Sequence, residues 1–212
     1  MDVAIVLNGQ PTALDVVRRV CQTSDLVLCA DGGISILSQA GVRPHILLGD
    51  MDSADQALLA TWEADGGALD RHNPHKDETD GQLAVDLAIA RKADRVTLLC
   101  ALGGRPDHAY GNLMLLRRLA DAGIPASIEE DGLRIQAVRG SCVLHGKPGQ
   151  TLSVLPIGDD LVVARLTGVE YPLLTRTPMP LGLPLGVSNV LSQERAELHL
   201  ESGVALVFHF FS

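Results

Sequence analysis

The 212-residue sequence lacks a surplus of positive charge, a long apolar run, paired cysteines and the familiar phosphate-binding signatures. Each absence removes a class of function. Seventeen basic against 26 acidic side chains leave a net charge of −9. The excess lies in residues 1–131, which carry 20 acidic and 11 basic side chains, while the remainder carries six of each. A basic face able to follow a nucleic-acid backbone is therefore not expected. The apolar runs are short and interrupted by Gly, Asp or Arg, so none is expected to span a bilayer. The sequence passes from Met1-Asp2 straight into an apolar run, with no charged leader or cleavage site. That pattern predicts no signal peptide and a cytoplasmic protein. Cys21, Cys29, Cys100 and Cys142 lie far apart with no C-x-x-C pair, which fits buried reduced thiols better than structural zinc. Neither a Walker-type G-x-x-x-x-G-K-S/T nor a G-x-G-x-x-G after the first strand occurs, which weighs against P-loop and dinucleotide-binding readings.

What is present divides near residue 131. Residues 1–131 alternate short apolar runs with helical patterns, the grammar of a parallel α/β sheet. Strands are predicted at Val3–Leu7, Leu26–Cys29, His45–Leu48, Ala68–Arg71, Arg95–Cys100 and Ala126–Glu130. A helix is predicted over Thr79–Arg91, where Thr79 and Gln82 have capping-box spacing. Asp107 is expected to cap a helix running to about Ala122. Residues 132–212 show short β-rich runs punctuated by Gly and Pro, and a Pro-rich loop from Pro172 to Pro184. They are expected to form a smaller all-β sandwich, jelly-roll-like in type.

Four polar clusters fall at predicted strand ends or helix starts of the first domain. They are Asp31-Gly32-Gly33, Gly49-Asp50-Met51-Asp52-Ser53, Lys76-Asp77-Glu78-Thr79-Asp80 and Gly103-Gly104-Arg105-Pro106-Asp107-His108. Ligands of open α/β sheets bind beyond the carboxyl ends of the strands, so these clusters share one edge. Asp50 and Asp52 are spaced i, i+2, which in an extended segment aims both carboxylates to one side. The pair reads either as a surface turn or as a seat for a hard cation such as Mg²⁺. Carboxylates that can hold Mg²⁺, cations such as Lys76 and Arg105, and glycines that admit phosphate to backbone N–H groups together suit a metal–polyphosphate site.

The ordered set of these four clusters resembles the thiamine pyrophosphokinase family, and Gly111-Asn112-Leu113 also fits. Gly168-Val169-Glu170-Tyr171-Pro172-Leu173 and Gly186-Val187-Ser188-Asn189 look like that family's thiamine-binding half. The resemblance implies an α/β domain followed by a β-sandwich domain, and a homodimer with active sites between subunits. It also implies transfer of a diphosphate from ATP to the thiamine hydroxyl. Carried over by position, Asp50, Asp52 and Asp80 would hold Mg²⁺. Asp31, Gly32, Gly33, Lys76, Asp77, Thr79, Gly104, Arg105 and Asp107 would bind or orient ATP, and Ser188 and Asn189 would face thiamine. The chain departs from some relatives in having its single tryptophan, Trp62, outside the β domain. Tyr171 and Phe208, Phe210 and Phe211 are then the aromatic candidates near thiamine. Two rival readings are a diphosphokinase or kinase for another alcohol, and a thiamine- or nucleotide-sensing protein without turnover.

Overall fold

The computed structural model describes residues 1–71 and 77–211. The first part of the chain builds β1 (Asp2–Val6), α1 (Leu14–Gln22), β2 (Leu26–Ala30), α2 (Gly33–Ala40), β3 (Ile46–Gly49) and α3 (Gln56–Ala64). It continues with β4 (Ala68–Arg71), α4 (Asp80–Ala90), β5 (Arg95–Leu99), α5 (Pro106–Asp121) and β6 (Ala126–Glu130). These six strands lie side by side and parallel, in the order β6-β5-β1-β2-β3-β4. The winding therefore reverses between β1 and β5, the kind of switch point where such sheets open a crevice.

Strand periodicity separates two apolar layers. Val3, Ile5 and Leu7 face Ala84, Val85 and Ala88 of α4 and Leu115, Leu116 and Leu119 of α5. Ala4 and Val6 belong to the opposite layer with Val17, Val20, Ile34, Leu37, Leu59 and Trp62. The buried positions of α4 are small, Gly81, Ala84, Val85 and Ala88, so the helix lies close over the sheet. That closeness sets where its first turn, and hence Asp80, meets the carboxyl edge.

Beyond β6 the chain turns at Asp131-Gly132 into β7 (Leu133–Val138), which pairs antiparallel with β6. There follow β8 (Ser141–His145), β9 (Thr151–Pro156), β10 (Leu161–Thr167), β11 (Thr177–Met179), β12 (Asn189–Val190), β13 (Arg195–Ser202) and β14 (Ala205–Phe210). The parallel sheet continues without a break through β7, β14, β9 and β12 into one ten-stranded sheet. A second sheet, β11-β10-β13-β8, packs across its antiparallel end. Val138, Leu152, Val154 and Val207 from the first sheet and Leu144, Val163 and Leu198 from the second share that core. The second half is a β-sandwich with no helix among the described residues.

Two local expectations are corrected. The Pro172–Pro184 stretch is not loop throughout, because Thr177–Met179 pairs with β10. A proline can sit on an edge strand, where its missing N–H leaves no ladder bond broken. The cap of α5 is Arg105, not Asp107: Pro106 takes the first helical position, where its missing N–H costs nothing, and moves Asp107 into the first turn.

Candidate active site at the carboxyl edge of the parallel sheet

The strand bearing the acidic pair ends at Gly49, whose φ of 135° is the left-handed region that favours glycine. A side chain there would also crowd Asp31 Cβ and the Asp80 carboxyl, each about 3.2 Å from the position a Cβ would take. Asp50, Met51 and Asp52 then form a turn and not a continued strand, which corrects the extended geometry expected from their spacing. Met51 has φ of 66° and is 4% exposed, sunk into the layer under α1–α3. A non-glycine residue in such a conformation costs roughly 1–3 kcal/mol. Burying a Met side chain contributes roughly 1.5–3 kcal/mol, enough to offset that strain. With Met51 anchored inward, its neighbours project outward, and the Asp52 N–H donates to Asp50 Oδ1 at 3.1 Å. The turn therefore brings the carboxylates together by a route the strand pleat does not supply.

Asp31 completes the cluster. Its N–H donates to Leu48 O at 2.9 Å, extending the β2–β3 ladder by one bond, and its φ of 44° swings the chain into α2. One carboxylate oxygen from each of Asp31, Asp50 and Asp52 can be chosen so that all three lie within 4.8 Å of one another. Asp31 is 5% exposed, and its Oδ1 is buried without a hydrogen-bond partner among the described residues. Burial raises the Asp31 pKa above its ordinary value, the Ser53 hydroxyl opposes this, and Asp80, Asp52 and Asp50 raise it further. The Ser53 hydroxyl also donates to Asp52 Oδ1 at 2.9 Å. Hard oxygen donors crowded this closely, one of them orphaned, fit a divalent cation such as Mg²⁺.

Asp80 approaches from the helix layer as the first residue of α4. Thr79 caps that helix by accepting the Gln82 N–H at 3.1 Å, which is the bond its spacing predicted. Asp77 is exposed in the turn ahead of it. Lys76 lies outside the described residues. Gly32 is the N-cap of α2, and the Asn8 side chain lies over it about 2.5 Å from where a Cβ would stand. The Asn8 amide would have to move to admit any larger residue there.

Across the same edge, two strand positions from Asp31 and three from Asp50, or about 10 and 14 Å at the usual strand spacing, the β5–α5 loop carries Gly103, Gly104 and Arg105. Arg105 grips Asp107 through Nε–Oδ1 at 3.1 Å and a second contact at 2.5 Å. This hydrogen-bonded guanidinium lowers the Asp107 pKa to about 2. Both side chains are largely exposed, so the pair is a presented charge array and not a structural bridge. Glu130, at the end of β6, accepts the Ala101 N–H at 2.9 Å. Burial raises its pKa, while the Ala101 amide, the Thr12 hydroxyl and the Leu102 amide pull the other way. The roles of Asn8, Ser53 and Glu130 were not read from the sequence; an acid closing the last parallel strand at this edge was the available signal for Glu130.

Ser188 and Asn189 are not brought to this cluster. They lie at β12, eight strand steps from β3, or about 38 Å along the sheet at the usual spacing. Ser188 is exposed with φ of 62°. The Asn189 side chain bonds the Tyr171 backbone, and Tyr171 itself is 68% exposed beside it. Phe208 packs against the α/β core, whereas Phe211 is exposed.

Residues 17–128 match the family described as thiamin pyrophosphokinase, catalytic domain, and residues 141–205 match thiamin pyrophosphokinase, vitamin B1 binding domain. A thiamine pyrophosphokinase of Bacillus subtilis is 27% identical over 205 residues, covering 96% of this chain and 95% of the relative. The crystal structure of thiamine pyrophosphokinase from Bacillus subtilis superposes with a TM-score of 0.86 at 25% identity, covering the whole of both chains. Thiamin pyrophosphokinase from Candida albicans shares the fold, with a TM-score of 0.85 at 17% identity over all of this chain and 90% of the other.

Proposed function

The chain belongs to the thiamin pyrophosphokinase family, and from that premise we propose that it transfers the diphosphate of ATP to the hydroxyl of thiamine, releasing AMP. The observation that carries the reading is the convergence of Asp31, Asp50 and Asp52 around an orphaned buried oxygen at the sheet edge. Pure binding has less need of so costly a concentration of like charge. Asp50, Asp52 and Asp80 would hold Mg²⁺, joined by Asp31. Bound there, the ion supplies charge neutralisation for the polyphosphate.

The chain's own residues supply position. Arg105 and the Gly103-Gly104 amides present donors to phosphate oxygens, with Asp107 holding the guanidinium in place. Gly32 and Gly33 let α2 start close against Asn8 and the end of β1 on the nucleotide-facing edge, Asp77 and Thr79 order the entry to α4, and Lys76 supplies a further cation. In the reaction the thiamine hydroxyl oxygen forms a bond to the β-phosphorus. The bond from that phosphorus to the α–β bridging oxygen breaks, and that oxygen leaves with AMP. The hydroxyl proton passes to a carboxylate, for which Asp80 is the candidate base. Phosphoryl-type transfers ask mostly positioning and charge stabilisation of the protein.

Thiamine is assigned to the β domain, at Ser188 and Asn189. The separation of about 38 Å along the sheet supports a site completed by a second subunit, in a homodimer. Exposed Tyr171, Leu174, Leu181, Leu183, Leu185 and Val187 in the same half supply apolar surface for such a contact. No helix among the described residues is long and apolar enough to cross a membrane, and the four cysteines are free. The free cysteines fit the proposed cytoplasmic setting.

Incubation with thiamine and Mg-ATP tests the reading. AMP and thiamine diphosphate are the expected products. ADP as the nucleotide released would overturn diphosphate transfer, and thiamine binding without turnover would support a sensor.

A further inference from the structure

At the switch point between β1 and β5 stand two loops, Leu7–Thr12 after β1 and Cys100–Arg105 after β5. They are laced together backbone to backbone: Gly9 N donates to Cys100 O at 2.9 Å and Gln10 N donates to Leu102 O at 3.0 Å. The second loop starts from a strained residue, because Cys100 has φ of 53°. Such a conformation persists only when its surroundings over-determine it.

Two side chains do so, one at each end of the next residue. Glu130 Oε1 accepts the Ala101 N–H at 2.9 Å, and Asn112 Nδ2 donates to Ala101 O at 2.7 Å. Glu130 also faces the Leu102 amide and the Thr12 hydroxyl. That hydroxyl in turn accepts the Asp131 N–H at 2.7 Å, so the turn beyond β6 is tied into the first loop. Thr12 is 8% exposed, and Ala101 is 2% exposed. One carboxylate thus joins three elements, β6 and the loops after β1 and β5, at the residues that lead into Gly103, Gly104 and Arg105. Glu130 is half-buried; a carboxylate withdrawn that far from water is costly unless its oxygens are hydrogen-bonded, and a site that needed only packing would use an apolar residue.

We propose that Glu130 is a positioning residue for the nucleotide, fixing the Ala101–Arg105 loop so that its amides and Arg105 face the polyphosphate. Glu130 acts through this loop and touches neither substrate. The inference rests on the functional reading above in taking that loop as the polyphosphate wall. Asn112 shares the duty from α5.

The test compares Glu130→Ala, Glu130→Gln and Asn112→Ala in the full chain. The readouts are calorimetric affinity for Mg-ATP, the KM values for ATP and thiamine, and amide exchange at Ala101 and Leu102. Glu130→Ala is expected to weaken Mg-ATP binding at least tenfold and to speed exchange at both amides, with the thiamine KM within about threefold of wild type. Glu130→Gln keeps a carbonyl oxygen for the Ala101 N–H and recovers most of the affinity. Asn112→Ala shifts affinity in the same direction as Glu130→Ala and keeps the test open should the latter fail to fold. Unchanged Mg-ATP affinity despite faster exchange would overturn the proposal. An equal loss for thiamine and ATP would also overturn it, by marking a general structural role. A wild-type protein that releases ADP refutes the diphosphate transfer but leaves the calorimetric and exchange readouts to judge Glu130 independently.

Discussion

The Asn189 side chain and the Tyr171 backbone bond each other in both directions: Nδ2 donates to Tyr171 O at 2.9 Å, and Oδ1 accepts the Tyr171 N–H at 3.1 Å. Oδ1 also accepts the Val190 N–H at 2.9 Å. The amide is therefore occupied in shaping the loop around Tyr171, and Ser188 is left as the exposed partner of the pair. Asn189→Ala is expected to cost about 0.5–1.5 kcal/mol, the net scale of an intramolecular hydrogen bond whose partners water can reach, and to lower Tm. Ser188→Ala should leave Tm unchanged and raise the KM for thiamine. Thermal unfolding and substrate kinetics on the two variants check both.

Asp31 couples stability to function with opposite signs. Its pKa is raised in the folded protein by burial and by Asp80, Asp52 and Asp50. The folded state therefore holds a proton that the unfolded chain releases as pH climbs past the ordinary carboxylate value. Stability falls through that window and stays lower above it. Asp31→Asn is expected to raise Tm at neutral pH without added metal, while turnover falls about 100-fold or more, the scale of a lost preorganised electrostatic group. Added Mg²⁺ should raise the Tm of the wild type by more than that of the variant. Thermal melts with and without Mg²⁺ decide it.

Arg105 and Asp107 should behave in the reverse way. Their ion pair is exposed, so Arg105→Ala is expected to leave Tm within experimental scatter. If Arg105 serves phosphate, the same variant should raise the KM for ATP by about tenfold or more, as loss of a charge-assisted bond does. A Tm loss with normal kinetics would return the pair to a structural role.

His209 should make the β-sandwich sensitive to mild acid. Burial lowers its pKa from the ordinary value, Arg134 adds to that, and its Nε2 lies 3.0 Å from Gln150 Oε1. As pH falls below about 6.5, the unfolded chain takes up a proton that folded His209 resists. Stability is therefore lost as pH drops through that window. His209→Asn is expected to flatten this part of the Tm–pH profile, which thermal melts across the window would record.

The parallel half was legible because its signals are local. Val3, Ile5 and Leu7 alternate with Ala4 and Val6 in the sequence as they do between the layers, and Thr79 caps α4 as its spacing to Gln82 predicts. The acidic edge was legible as a set of strand-end residues. Its geometry was not, because the convergence of Asp50 and Asp52 depends on Met51 anchoring in a layer built by distant residues. Glu130 escaped notice for a similar reason: its partners Ala101 and Thr12 are remote in sequence and offer backbone groups or a common hydroxyl, which leave no motif. Strands β11 and β12 are too short for periodicity to register, and they exist through their pairing with β10 and β9.

The unbroken ten-stranded sheet has a consequence for how the protein is made. β7 is flanked by β6, which precedes it directly, and by β14, made seven strands later. A nascent chain can assemble the parallel half first, but the row of N–H and C=O groups beyond β7 stays open until β14 arrives. An open strand edge invites pairing with other chains. Fragments cut after residue 131 should leave β6 as such an edge, and should associate or aggregate where the full chain does not. The six-residue strand β14 fills the gap between β7 and β9, so both keep an exposed row of backbone groups until it has been made and has docked between them.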